Sequence, residues 1–207
     1  MKRKGILIII SGFSGAGKGT LVKRLVEKYD CYALSISATT REPRPGEKDG
    51  REYFFLSKEQ FERRIEENGL IEYASYCGNY YGTPREYVES QLENGKDVIL
   101  EIEIQGAHKV KQQYPDALTL FVMTPDAGEL RYRLESRGTE SAEVIEKRMQ
   151  RAAEEALGIL EYEYIVVNDK LETCVDEIHR IIIAAHNAPY RNMEFIDNIR
   201  KELEGGD

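Results

Sequence analysis

Gly12-Phe-Ser-Gly-Ala-Gly-Lys-Gly-Thr20 is the stretch that decides the fold. It follows the apolar run Ile6–Ile10 and precedes Leu21, Val22, Leu25 and Val26, which recur at the spacing of one helical face. Strand, glycine-rich turn, lysine and helix, in that order, specify a phosphate-binding loop. Glycines let successive backbone N–H groups converge on an anion, and the helix start adds unpaired N–H groups and the positive end of its dipole. Lys18 extends that reach to the outer phosphates of a nucleoside triphosphate, and Thr20 keeps a hydroxyl for an inner one. A plain glycine-rich turn with a surface lysine would not put Gly12, Gly15, Gly17 and Lys18 in register behind a buried strand. Gly19 departs from the strict pattern: it stands where Ser or Thr normally helps hold magnesium, so a metal there is expected to be held more through water.

At 207 residues the chain is long enough for a full core and is most simply one domain with mobile lobes. Its composition, 41% hydrophobic and 32% charged, is that of a soluble globular protein. A formal charge of −8 gives nothing global to attract nucleic acid or an anionic membrane, so phosphate chemistry must draw on local arginines and lysines. The apolar stretch after Met1-Lys-Arg-Lys4 is too short for a signal peptide and runs straight into the glycine loop. No stretch reaches membrane-spanning length. Cys31, Cys77 and Cys174 are odd in number and far apart, and His108, His179 and His186 form no ligand cluster, so neither a disulfide framework nor a zinc site is expected. His179 and His186 read as positions along a C-terminal helix. The expected location is cytoplasmic, and nothing in the sequence chooses between a monomer and a homo-oligomer.

Apolar runs recur at Ile6–Ile10, Ala33–Ile36, Val98–Ile104, Leu118–Met123 and Ile165–Val167, with helical patterns between most of them. That alternation predicts an α/β fold with a mainly parallel sheet, whose ligand crevice lies beyond the carboxyl ends of the strands. Thr39–Tyr53, with its prolines and glycines, predicts a loop. Ser57–Gln60 has the form of a capping box that opens a helix ending near Gly69. Leu70–Tyr76 reads as a strand, Gly78-Asn79 as a turn, and Thr83-Pro84-Arg85-Glu86 as a second capping box whose helix stops at Asn94-Gly95. Residues 38–94 are thus expected to form a mixed α+β lobe inserted between core segments at about 1–37, 95–126 and 158–188. Residues 127–157 read as helical, with Leu130 and Leu134 on a helix running to Arg137-Gly138 and Ser141 capping a longer one. Asp176–Ala188 carries a core-facing stripe, and 189–207 a partly frayed tail.

Three further sets of residues carry chemistry. Arg41 and Arg44 lie on the proline-stiffened loop with Tyr53, and together they can hold a monophosphate; a solvated loop is the bland alternative. Glu101 and Glu103 are two apart in an extended run and point to the same side, where buried carboxylates need a cation, donors or an open strand end. Arg131, Arg133, Arg137 and Arg148 flank Gly138-Thr139 and would form a phosphate-clamping lid, although helices often carry such arginines as plain surface charge.

Together the motifs resemble the guanylate kinase family. Ser35–Glu47 (S-I-S-A-T-T-R-E-P-R-P-G-E), Gly78–Thr83 (G-N-Y-Y-G-T), Glu101–Gly106 (E-I-E-I-Q-G), Arg133–Thr139 (R-L-E-S-R-G-T) and Ile165–Asp169 (I-V-V-N-D) match it in order over nearly the whole chain. The K-G-T form of the loop is similarly that of nucleoside monophosphate kinases. The resemblance implies a P-loop NTPase-type parallel-sheet core, an inserted GMP-binding lobe and a helical lid. It implies transfer of the γ-phosphoryl group of ATP to GMP, with dGMP as a second acceptor, giving GDP and ADP with Mg2+ in purine nucleotide metabolism. Gly12, Ser14, Gly15, Ala16, Gly17, Lys18, Gly19 and Thr20 then bind ATP, with Asn168 near adenine. Arg41, Arg44, Tyr53 and Tyr81 hold the GMP phosphate; Ser37, Glu72, Thr83 and Glu103 surround guanine. Glu101 and Thr20 lie near magnesium, and Arg133, Arg137 and Arg148 join Lys18 and Arg41 as the charge-neutralising set. Glu103 departs from the family pattern, which usually has Asp.

Other P-loop kinases act on other small phosphate acceptors with much the same core. Glu72 speaks against an adenine acceptor, because a carboxylate accepts from guanine N1–H and N2–H2, whereas adenine N1 carries no proton. Guanylate-kinase-like domains also serve as interaction modules, typically with degraded phosphate loops and neighbouring domains; this chain keeps Lys18 and Thr20 and is expected to have no room for another domain. A GTPase switch lacks its N-K-x-D sequence here.

Overall fold

The apolar run ahead of the glycine loop forms strand β1 (Leu7–Gly12), buried along its whole length. Ile6, Ile8 and Ile10 belong to one apolar cluster and Leu7 and Ile9 to another, as the two-residue period of a strand requires when both faces are covered. A computed structural model describes residues 4–76, 78–136 and 141–205. After β1 come α1 (Lys18–Lys28), β2 (Tyr32–Leu34), β3 (Ala38–Thr39), β4 (Phe54–Phe55), α2 (Lys58–Glu66), β5 (Leu70–Tyr76) and β6 (Asn79–Pro84). The chain continues with α3 (Arg85–Glu93), β7 (Asp97–Glu101), α4 (Ile104–Gln113), β8 (Leu118–Met123), α5 (Ala127–Ser136) and α6 (Ala142–Ala156). It ends with β9 (Tyr164–Val167), α7 (Leu171–Ala185) and α8 (Met193–Leu203).

The main sheet has five strands in the order β2-β7-β1-β8-β9, all parallel. Helices cover both faces, as a parallel sheet demands. Leu21, Val22 and Leu25 of α1 and Val175, Ile178 and Ile182 of α7 fill one side; Val88 and Leu92 of α3 and Ala107 and Val110 of α4 fill the other. The carboxyl ends of β1, β7 and β9 therefore bring Gly12, Glu101 and Asn168 to one edge. A second, four-stranded sheet runs β4-β3-β6-β5 and mixes parallel and antiparallel pairs.

Several expectations change. Ser57 forms its capping box with Gln60, but Thr83 caps nothing: Pro84 is the N-cap of α3, because the Thr83 hydroxyl is engaged by Glu72. The predicted strand Val98–Ile104 stops at Glu101, and Glu103 is already the N-cap of α4. Ala33–Ile36 shortens to a strand ending at Leu34. α3, expected within the inserted lobe, buries Val88 and Leu92 against the core sheet. α7 begins at Leu171, ahead of the predicted start, and the tail expected to fray carries helix α8, with no buried residue. His186 is more than a position on a helix. Buried at its C-cap, Nε2 donates at 2.9 Å to both oxygens of buried Asp97, which also accepts from Ile6 N at 2.7 Å. No helix among the described residues is long and apolar enough to cross a membrane.

Candidate active site

The loop between β1 and α1 has the geometry its glycines predict. Gly15 and Gly17 sit at φ 98° and 89°, in the left-handed region that favours glycine. Space forbids a side chain as well: a Cβ on Gly17 would lie 2.6 Å from Asn168 Nδ2, and one on Gly15 2.8 Å from Leu134 Cδ2. Gly17 is the N-cap of α1 and supplies no side-chain cap, so the first N–H groups of the helix point into the loop without a capping oxygen. Lys18 bends back, its Nζ donating to Gly12 O at 2.6 Å and Phe13 O at 3.2 Å. Gly19 and Thr20 are exposed. A Cβ on Gly19 would lie 3.5 Å from Glu101 Oε2, which sets the carboxylate close to the helix start.

Two residues expected at the nucleotide brace this loop. Asn168 is buried, and its Nδ2 donates to Ala16 O at 2.7 Å. Arg133 donates from Nη2 to Asn168 O at 2.8 Å and from Nη1 to Ala16 O at 3.4 Å, with its Nε on Glu129 at 2.6 Å. Arg148 on α6 reaches the loop directly, Nη1 to Ser14 Oγ at 3.1 Å. Arg137 lies outside the described residues.

A cleft of about 510 Å3 runs from Lys18 along Glu101 and Glu103 to Ser37, Glu72 and Tyr81. Tyr53 and Thr83 border an adjoining pocket of about 180 Å3 that shares Ser37 and Glu101. The guanidinium of Arg41 stands 5.4 Å from the Tyr53 ring centre, and the Tyr53 and Tyr81 rings are 6.1 Å apart, so the arginine and both tyrosines form one group. Arg41 is engaged by Glu47, Nη2 lying 2.9 Å from each carboxylate oxygen, and Glu47 also accepts from Arg44 N at 2.7 Å. The backbone hydrogen bond from Arg44 and the charge of Arg41 hold the Glu47 carboxyl below its ordinary range. Arg44 itself is exposed.

At the other end, Glu72 of β5 accepts from Thr83 Oγ1 of β6 at 2.8 Å. Gly82 lets these strands approach: a Cβ there would meet Glu72 O at 2.9 Å. Burial pushes the Glu72 carboxyl up, with the Thr83 hydroxyl and Lys109 pulling the other way. Desolvation on the cleft wall also pushes Glu101 up; Lys18 opposes it and Glu103 adds to it. Residues that sequence reasoning missed include Glu47, Lys109 and Arg151, whose Nη2 donates to Glu103 Oε2 at 3.2 Å. Arg151 had a readable signal: it stands three residues after Arg148, on the same helical face.

A cation-lined glycine loop and a carboxylate-ended cleft side by side suit a triphosphate donor and a base-bearing acceptor. The guanylate kinase family profile matches residues 4–185. Guanylate kinase of Caldanaerobacter subterraneus subsp. tengcongensis is 50% identical over 202 residues, covering 98% of each chain. That of Latilactobacillus sakei is 48% identical over 204 residues, covering 98% of this chain and 99% of the relative. The crystal structure of guanylate kinase from Anaplasma phagocytophilum superposes with a TM-score of 0.71 at 31% identity, covering 92% of this chain and 91% of the other. With these relatives, and with its loop and cleft arranged as described, the chain belongs to the guanylate kinase family and is an ATP:GMP phosphotransferase.

Proposed function

We propose that the Gly12–Thr20 loop holds the ATP phosphates, that the cleft from Ser37 to Glu103 holds GMP, and that the γ-phosphoryl group passes between them beside Lys18. The observation that carries this is a single cleft lined by Lys18, Glu101 and Glu72 together. The phosphate of GMP would face Arg41, Arg44, Tyr53 and Tyr81, and its base Ser37, Glu72, Thr83 and Glu103. A GMP phosphate oxygen is already ionised near neutral pH and needs no general base. It forms the new bond to Pγ as the bridging bond breaks, and ADP leaves with the electron pair. Catalysis is then alignment and charge neutralisation by Lys18, Arg41, Arg133, Arg137 and Arg148, with Arg133 acting through the braced loop.

The donors near Glu101 suit magnesium. A carboxylate beside the loop and the exposed Thr20 hydroxyl are hard oxygen ligands, and with Gly19 at the first helical turn they leave room for water. When bound, magnesium would neutralise charge on the outer phosphates. Burial of Glu72 supports guanine over adenine, because only guanine offers two N–H donors on that edge. Cys31 and Cys174 are free thiols, which suits a reducing cytoplasm and a role in purine nucleotide recycling.

The test is a coupled assay with ATP, Mg2+ and a panel of GMP, dGMP, AMP, UMP and CMP. GMP is expected to be the best acceptor, with AMP rejected by ~10⁴-fold in kcat/KM. Comparable turnover of AMP would overturn the assignment of the guanine site.

A further inference from the structure

One face of α6 touches both the phosphate loop and the wall of the cleft. Arg148 donates to Ser14 Oγ of the phosphate loop at 3.1 Å, and Arg151 donates from Nη2 to Glu103 Oε2 at 3.2 Å. Arg151 is held on its own helix as well: its Nε donates at 3.0 Å to Glu155, whose side chain is only 11% exposed. Glu103 is free to use this partner because, although it is the N-cap of α4, its carboxylate makes no cap hydrogen bond. Oε1 of Glu103 takes no hydrogen bond from the described residues. Glutamate matters here. An aspartate, shorter by one methylene of roughly 1.5 Å, would draw the carboxylate out of hydrogen-bonding reach of Arg151.

We propose that Arg151 is a positioning residue for the acceptor base. Through Oε2 it keeps the Glu103 carboxylate turned so that Oε1 accepts an N–H of guanine, and it thereby links the α6 helix to occupancy of the acceptor site. The proposal rests on reading this cleft as the GMP site. The two side chains are 58% and 57% exposed, so the pair alone adds little to stability and its loss leaves the fold intact. Its effect appears once a base displaces water from the cleft and the local dielectric falls. Because Arg148 grips the phosphate loop from the same face, whatever steadies α6 at Glu103 also steadies it at the loop. By linkage the two substrates then strengthen each other's binding.

The experiment is steady-state kinetics of the full chain over a matrix of ATP and GMP concentrations. Arg151→Ala should raise the GMP KM by about fivefold, with kcat within about twofold and an unchanged thermal midpoint. Arg151→Lys should recover part of the loss. In a Glu103→Asp background, Arg151→Ala should change GMP KM by less than about twofold, because the partner is already out of reach. An unchanged GMP KM in Arg151→Ala, or an equal rise in both backgrounds, would overturn the proposal. Failure of the guanine-site reading is separate: it would show as equal use of AMP and GMP by the unmodified enzyme.

Discussion

Thr83 Oγ1 donates a 2.8 Å hydrogen bond to Glu72 Oε1 across the β5–β6 pair, and Glu72 Oε2 lies 3.6 Å from where Gly106 would carry a Cβ. The carboxylate is thus fixed between a hydroxyl and the first turn of α4. Burial raises its pKa above the ordinary value and the Thr83 hydroxyl lowers it again, by less. On the proposed reading guanine is bound by the ionised form, so GMP affinity should be complete above the raised pKa and be lost as pH falls through it. That loss begins above about 4.3, the ordinary glutamate value. Stability follows the opposite sign: a carboxyl raised in the folded state contributes below the unfolded pKa and loses that contribution as pH rises through the folded one. Thr83→Val removes the hydroxyl and should move the acid limb of log kcat/KM for GMP to higher pH. The titration of GMP itself is common to both enzymes, so an unmoved limb would contradict the role of Thr83.

Asn168 Nδ2 holds Ala16 O at 2.7 Å inside the protein, leaving Arg133 as the second brace at 3.4 Å. Asn168→Ala should loosen the loop by about 1–2 kcal/mol, the cost of one buried hydrogen bond. That corresponds to an ATP KM raised roughly 5- to 30-fold with GMP KM nearly unchanged. A rise confined to GMP would place the residue's effect elsewhere.

The glycine loop and the central strand were legible because their signals are local: a run buried on both faces, then glycines at positive φ, then a helical stripe. Glu101, Glu72 and Lys18 were legible as a set only through the family resemblance, since a cleft joins residues from three separate segments. What the sequence did not show shares one cause, which is a distant partner. Thr83 looked like a cap from its neighbours, but its hydroxyl bonds a residue eleven positions away. The resemblance assigns Arg133 and Asn168 to phosphate and adenine, and it gives no sign that both also hold the backbone of a loop more than a hundred residues earlier. Nothing local marks His186 as the partner of Asp97, 89 residues before it.

That buried pair should dominate stability. Asp97 is 4% exposed and His186 8%. His186→Leu removes the Nε2 donor and leaves a buried carboxylate with less than its full set of partners, which should cost about 3–5 kcal/mol. Adding Asp97→Asn should restore much of it, since an amide has no charge to strand. Denaturant titration measures both; a loss under about 1 kcal/mol in His186→Leu would mean that water replaces the imidazole.

Glu72→Gln is the sharpest probe of base recognition. The substitution keeps size and shape and replaces one acceptor oxygen with an NH2 donor. In the protein, Oε1 is already engaged by Thr83. The glutamine carbonyl can therefore stay with Thr83, which turns its NH2 toward the cleft, where guanine also presents donors. One charged hydrogen bond is lost and two like dipoles are opposed in a buried site, which should cost about 2–4 kcal/mol. The loss should fall on kcat/KM for GMP, roughly 30- to 800-fold, with ATP binding nearly unchanged. Flipping the amide hands its NH2 to the Thr83 hydroxyl, which can accept, and its carbonyl to guanine, so the loss then falls at the lower end of that range, one neutral acceptor standing in for a charged one. A solvated Glu72 would instead tolerate Gln silently, and a GMP kcat/KM within about twofold of the unmodified enzyme, under ~0.5 kcal/mol, would remove it from the guanine site.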